Sequence, residues 1–268
     1  MICKKIEKKW QLTLGVVAIC SIAFIYQLLS WDRRVANPKD TTMPSLVQIV
    51  VDGSSKILTP DVFDKIWLIE DLKATGGRFF VGMGIGFLLS FLLGISMGCW
   101  AVIEGLLKWP VTFFGQIPPT AMLAVYLVVA NLTQAPVVPM MVCFGILPSL
   151  TLTIYNAVKV DVHEEQIYKA YTLGASNLEI VWNVIIPQIL PRVIGAVRIC
   201  IGPALVYLIA AEWTNEHVGF GYRLKIQGRQ THMDVVYNYL IILAVLGYLM
   251  NRVLFLLQRY LSPWFDRD

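Results

Sequence analysis

The sequence predicts an all-α, polytopic membrane protein of about six transmembrane helices, and three observations predict it. Hydrophobic residues make up 57% of the 268 residues and charged ones only 15%, where soluble domains run nearer a quarter charged. Mean hydropathy is +0.64. The charges are also excluded from long stretches, and about 17–25 consecutive apolar residues are what a hydrocarbon core requires.

The first such stretch, Gln11–Ser30, follows "MICKKIEKKW", which packs four Lys into ten residues. By the positive-inside rule those Lys hold residues 1–10 in the cytoplasm. The run over 11–30 is long, and "LLSWDRR" after it offers no small-residue cleavage site. It reads as an uncleaved anchor and not as a signal peptide. Residues 31–75 are then an external loop. Within it "TPDVFDKIWLIEDLKATGG" reads as an amphipathic helix lying on the membrane. Thr59 would cap it, Pro60 would sit in its first turn, and Phe63, Ile66 and Trp67 would face the interface.

The second run, Phe79–Ile103, carries Gly82, Gly86, Ser90, Gly94 and Gly98 at intervals of four, one stripe along a helix. Small residues let two helix backbones approach where lipid removes the hydrophobic drive. Packing is the expected role, and pore lining is the alternative. Trp109–Val158 is uncharged for fifty residues, too long for one helix, and "NLTQAP" at Asn131–Pro136 divides it into two spans of twenty-two. Val193–Ala211 makes a fifth span, with Arg198 as its one charge. Val235–Leu257 makes a sixth, with Arg252 near its end. Five core helices thus occupy 76–258, a short tail follows at 259–268, and both termini are cytoplasmic. The two sides share Lys and Arg almost evenly, so orientation rests on the N-terminal cluster.

Enzymatic chemistry finds no footing. The chain lacks GxxxxGK[ST], the loop that cradles nucleotide phosphates. His163, His217 and His232 lie far apart, none at metal-ligand spacing with Cys or a carboxylate. The five Cys are single and read as small packing residues. No cofactor or metal is expected, nothing marks a nucleic-acid surface, and the chain is not read as an enzyme.

One polar stretch stands apart, "DVHEEQIYKAYTLGASNLEIVWNVIIPQILPRVIG" from Asp161 to Gly195. Asp161 with Glu164 suggests a cap and an acidic first turn, opening a helix from about Val162 to Leu173. Gly174 then supplies a left-handed stop. Ser176 caps a second helix with Glu179 completing the box, and Leu178, Val181, Trp182 and Ile185 share one side of it. Pro187 is expected to end that helix and Pro191 to open the fifth span. The product is a compact knob with an exposed apolar face, which suits a partner. A connector folded onto its own bundle is the alternative.

This stretch resembles the cytoplasmic coupling loop of binding-protein-dependent ABC importer permeases, patterned EAA-x3-G-x9-I-x-L-P. Aligned on Gly174 the chain offers "YKA-YTL-G-ASNLEIVWN-V-I-I-P", with Ala170, Gly174 and Pro187 matching. Tyr168 and Lys169 replace the usual Glu and Ala, while Glu164 and Glu165 stand one turn earlier. The likeness runs in order from about Thr75 to Trp264. It takes in "TGGRFFVGMGIGFLLSFLLGISMG", "GQIPPTAMLAVYLV" and "GAVRICIGPALVYLIAAEW" followed by "GFGYRL". Ala130–Asn131 stands where a Trp/Phe-Gly is usual.

The resemblance implies a type I importer permease core of the subgroup serving nitrate, sulfonates, taurine and bicarbonate, in a bacterial plasma (inner) membrane. It implies a homodimer with two ATPase subunits, identical or different, and an external substrate-binding protein. Loop 159–191 would couple ATPase closure to alternating access through Glu165, Tyr168, Lys169, Ala170, Gly174, Ala175 and Ser176. Gln116, Thr120 and Arg198 are the candidates for the translocation pathway. For Arg198 a snorkelling, interfacial role is the competing reading. The alternative function is a secondary transporter working without an ATPase. That requires an internal repeat and ionisable groups at mid-membrane, and the sequence shows no such repeat.

Overall fold

The computed structural model describes residues 8–36, 41–60, 64–133 and 136–263. In chain order the helices are α1 (Lys8–Ala36), α2 (Leu46–Gln48), a π-helical turn over Ile49–Gly53, α3 (Ser54–Leu58), α4 (Trp67–Cys99), α5 (Ala101–Phe114) and α6 (Leu123–Thr133). They continue as α7 (Val137–Asp161), α8 (Glu164–Thr172), α9 (Asn177–Ile180), a second π turn over Val181–Ile185, α10 (Ile186–Asn215), α11 (Phe220–Arg229) and α12 (Met233–Leu261). Two compact units share the chain: Met1–Ile69 with Arg223–Ile242, and Glu70–Tyr222 with Leu243–Asp268.

Five helical stretches among the described residues are long and apolar enough to cross a membrane: Thr13–Arg33, Trp67–Cys99, Val137–Asp161, Asn177–Asn215 and Met233–Leu261. The remaining expected run, 109–130, is not one helix. Its start lies in α5, its end in α6, and residues 115–122 between them form turns. Pro118 and Pro119 explain the break, since neither can donate and each pushes the preceding residue out of helical geometry. Gln116 and Ile117 instead donate to the Phe113 and Phe114 carbonyls at 3.1 and 3.2 Å. The break expected at Asn131–Pro136 starts later, since α6 runs on through Asn131 to Thr133; residues 134–135 lie outside the described residues, and Pro136 caps α7.

The larger unit is built on α7 and α10, which pack along most of their lengths. Val138, Met141, Val142, Leu150 and Ile154 of α7, and Ile189, Ala204, Leu208 and Ala211 of α10, are fully buried. The small-residue stripe of α4 lies against α7. A β-carbon at Gly82 would stand 2.7 Å from the Pro139 carbonyl oxygen, and one at Gly98 would stand 2.6 Å from the Val158 β-carbon. Ser90 donates to the Leu147 carbonyl at 3.1 Å. Packing, not pore lining, is what the stripe does here.

In the smaller unit Gly53 fits closely against Asn238 and Asp234. Lys56 pairs with Asp234 at 2.7 Å, and Arg223 stacks over Trp67 at 4.3 Å.

Three local expectations are corrected. Thr59 does not open a helix: it closes α3, donating its N–H to the Ser55 carbonyl in extended geometry. Pro60 then bridges to Ile66 and the next helix starts at Trp67, while Phe63 lies outside the described residues. Asp161 caps nothing, because it ends α7 and pairs with Arg192 at 2.8 Å. His163 takes the cap position of α8 without a side-chain bond. Pro187 does not end its helix: Asn177–Asn215 is continuous. The π turn over Val181–Ile185 sits directly before it, and that wider winding accommodates a ring that would clash with an α-helical carbonyl.

Candidate functional site

The polar stretch folds as two short helices at one end of the larger unit. α8 carries Glu164 and Glu165 in its first turn, where the helix dipole favours them. It ends in a Schellman motif: the Ala175 N–H reaches the Ala170 carbonyl at 3.1 Å and the Gly174 N–H reaches that of Tyr171 at 2.9 Å. Gly174 has φ +85° with open space around it. Ser176 and Glu179 form the expected reciprocal box, and the Tyr171 hydroxyl donates to Asn177 at 2.8 Å. Gln188 accepts from the His163 N–H at 3.3 Å and donates to Gln166 at 2.8 Å, tying α8 to the base of α10.

The four residues expected to share one exposed side are divided, since Val181 and Ile185 are buried in the core while Leu178 and Trp182 stand exposed. Leu173 is 88% exposed, and Tyr168, Leu178 and Trp182 are each about two-thirds exposed. Ala170 and Ala175 instead pack inward with Ile167 against the core, while Glu165, Lys169 and Ser176 stand in solvent. The predicted coupling residues thus share one small body: Ala170 and Ala175 pack it inward, Gly174 and Ser176 shape its turns, and Glu165, Tyr168 and Lys169 face outward.

The predicted pathway residues are not brought together. Gln116 and Thr120 are exposed on the turns between α5 and α6. Beside those turns lies a cavity of about 480 Å³, lined by Phe114, Pro119, Met122, Tyr126, Phe144 and Tyr207 among others. The Tyr126 and Phe144 rings stack there at 6.1 Å. Neither Gln116, Thr120 nor Arg198 lines it. Arg198 is held elsewhere, donating from Nε to Asn251 at 2.8 Å and from Nη1 to Gln258 at 2.9 Å. Its guanidinium lies 5.0 Å from the Phe255 ring centroid.

Two polar clusters escaped sequence reasoning. Near the knob, Glu104 accepts from Tyr155 at 2.5 Å and pairs with Lys159 at 2.8 Å. Bonds from Lys159 and then Tyr155 lower its pKa to about 2. At the opposite end, Glu212 is fully buried. Its carboxylate takes Thr75 Oγ1 at 2.9 Å, Arg78 Nη1 at 3.0 Å and the Gly221 N–H at 2.9 Å. Glu212 stands one residue beyond the apolar run Val193–Ala211, at the end of the quoted "GAVRICIGPALVYLIAAEW", and no local pattern paired it with Arg78. The one signal available was its spacing from "GFGYRL" and from the Arg of "TGGRF".

Residues 86–267 match the family described as the binding-protein-dependent transport system inner membrane component. A probable ABC transporter permease of Brucella abortus strain 2308 is 28% identical over 200 residues, covering 75% of this chain and 79% of that one. The taurine transport permease TauC of Escherichia coli K12 is 27% identical, covering 81% and 78%. The nitrate import permease NrtB of a Synechocystis strain is 22% identical, covering 92% and 88%. Among solved structures, an inward-facing MetNI methionine ABC transporter superposes with TM-score 0.65 at 21% identity, covering 73% of this chain and 96% of that one. The last shows a shared fold.

Proposed function

The chain belongs to the family of binding-protein-dependent transport system inner membrane components, and from that premise we propose how it works. It is the membrane-spanning permease subunit of an ABC importer, a transport subunit and not itself an enzyme. The alternative of a secondary transporter finds no support among its relatives.

In the proposed mechanism two copies of this chain pair, and each knob seats in a cleft of a cytoplasmic ATPase subunit, two identical copies or a heterodimer. An external binding protein delivers the solute, and both termini lie in the cytoplasm. Tyr168, Lys169 and Glu165 meet the ATPase. Ala170, Gly174, Ala175 and Ser176 hold the shape that presents them. The observation that carries this reading is the exposed apolar face of Leu173, Tyr168, Leu178 and Trp182 on a turn fixed by Gly174. Such a patch on a rigid support is a surface built to be covered.

The pathway is assigned to the broken third run. Irregular backbone at membrane depth is tolerated only against protein or beside water; residues 115–122 are irregular, and the expected third span would set them at that depth. Gln116 and Thr120 supply neutral hydrogen-bonding groups on it. Arg198 has committed two donors to Asn251 and Gln258, which favours a strut beside the pathway over a cation within it. The cargo is read as a small anion of the nitrate, sulfonate, taurine or bicarbonate kind, because relatives are named for taurine, aliphatic sulfonates and nitrate.

The test is co-purification with a cognate ABC ATPase subunit. Leu173→Asp with Trp182→Asp should leave the permease in the membrane and remove the ATPase from it. Retention of the ATPase by that double variant would sink the assignment.

A further inference from the structure

The knob and the buried carboxylate Glu212 lie at opposite ends of one helical rod. Asn177–Asn215 is continuous over 39 residues, about 58 Å at 1.5 Å per residue. At the knob end its base is tied to α8 and to Asp161. At the far end it is tied to α4 by a single dense network.

That network begins on α4 with Asp71, Thr75 and Arg78, spaced to share one helix face. Asp71 and Thr75 are buried. Thr75 donates to Glu212 and accepts the Phe220 N–H at 2.9 Å. Asp71 accepts the Gly219 N–H at 3.0 Å. Arg78 reaches Glu212 and the Val218 carbonyl, at 3.0 and 2.7 Å, with Nη1, and Glu216 at 2.6 Å with Nη2. Gly219 sits at φ +125°, and a β-carbon there would stand 2.6 Å from a Glu212 oxygen. Every backbone amide from Gly219 to Gly221 is therefore spent on α4 or on Glu212.

Stability alone does not account for this arrangement. A buried ion pair repays little more than its desolvation, and apolar residues of the same volume often serve as well. What the pair adds is geometry, since a planar guanidinium fixes three acceptors at once. Between the two ends, α4 is locked to α7 by the small-residue stripe, and α7 to α10 by the buried core. The network joins the far ends of α4 and α10.

We propose that Arg78 and Glu212 are positioning residues for coupling. They brace the far ends of α4 and α10, with the loop Glu216–Gly221, into one body, so that displacement of the knob arrives undiminished at the external rim. This rests on the coupling role assigned to the knob. A loose rim would let the knob move without opening the pathway, because packed elements slide when nothing fixes their ends.

The experiment uses the dimeric permease with its ATPase subunits, in a cysteine-free background, trapped with ATP and vanadate. Spin labels at Thr214→Cys report the rim, and labels at Val160→Cys report the knob end. In the unmodified chain both inter-protomer distances should change on trapping. Arg78→Lys keeps the charge and loses the fork, and should leave the Val160 change intact while cutting the Thr214 change by about half or more. Glu216→Gln spares the buried pair, and should give a smaller loss in the same direction. An unchanged Thr214 response in either variant overturns the brace. If the unmodified chain does not assemble with the ATPase, the knob assignment fails instead, and the two failures are read separately.

Discussion

Gly94 of α4 lies so close to Ile154 of α7 that a β-carbon on it would stand 2.7 Å from the Ile154 β-carbon. The contact belongs to a seam from Gly82 to Gly98 along which two backbones meet with almost nothing between them. In lipid, where burial of apolar surface drives little, such close packing is a principal source of helix association.

Gly94→Leu should therefore destabilise the chain by about 1–3 kcal/mol or more, since overpacking forces backbone to shift. Gly86→Leu should act alike, because Ile146 and Cys143 crowd it. Gly84 has open space around it, so Gly84→Ala should be neutral or stabilise by up to about 1 kcal/mol. Melting temperatures of the detergent-solubilised protein separate the three. Equal behaviour of Gly84→Ala and Gly94→Leu would refute the seam.

Gly174 presents the opposite case, a glycine kept for its backbone and not for space. Its φ of +85° is the left-handed region, and nothing lies within 4 Å of its missing β-carbon. Gly174→Val should cost about 1–2 kcal/mol locally while leaving membrane yield unchanged. The knob loses its shape, so transport per ATP hydrolysed should fall. Gly174→Asn, tolerant of this conformation, should retain more coupling than Val. Yield and coupling falling together in Val would point to a folding role instead.

Glu104 gives a pH prediction. Its folded pKa is depressed from 4.5 to about 2 by Lys159 first and Tyr155 second. A depressed carboxylate stabilises the fold above its unfolded pKa and loses that contribution as pH falls toward the folded one. The protein should therefore melt progressively lower between about pH 4.5 and pH 2, and Glu104→Gln should flatten its share of that limb. Identical acid profiles for the two proteins would count against the cluster.

The parts of the fold that sequence displayed are those with short-range causes. The four-residue glycine period, the Gly174 stop and the Ser176–Glu179 box each act within a turn or two, and the structure realises all three. The misreadings share a different origin. Thr59 and Asp161 are plausible caps whose neighbours commit them elsewhere, Asp161 to Arg192, distant in sequence. Pro187 looked terminal because a helix-breaking ring can be absorbed by a π turn that no local pattern announces. The Glu212 network was hidden because its members sit on α4, α10 and a loop, up to 148 positions apart. Hydropathy ends the span before Glu212 and does not report that its carboxylate is buried.

Arg198 decides between a strut and a pathway cation. A charge within a span costs at least about 2.5–3.5 kcal/mol on insertion scales, so it must be repaid. Asn251 and Gln258 each accept a charge-assisted bond from it, contributions of about 1.5–3 kcal/mol apiece. The Phe255 ring at 5.0 Å adds about 0.5–1 kcal/mol. Those bonds cover the insertion cost, and both acceptors lie on α12, which holds the guanidinium to that helix. Arg198→Gln can renew one bond at most, so its melting temperature should fall. Asn251→Leu should lower it similarly, and the double variant should fall by less than the sum, since both remove one shared contact. Uptake by reconstituted complexes, scaled to folded protein, should keep its preference among nitrate, taurine and a neutral control. A variant that melts normally yet loses anion uptake would place Arg198 in the pathway and leave α10 and α12 joined by other means.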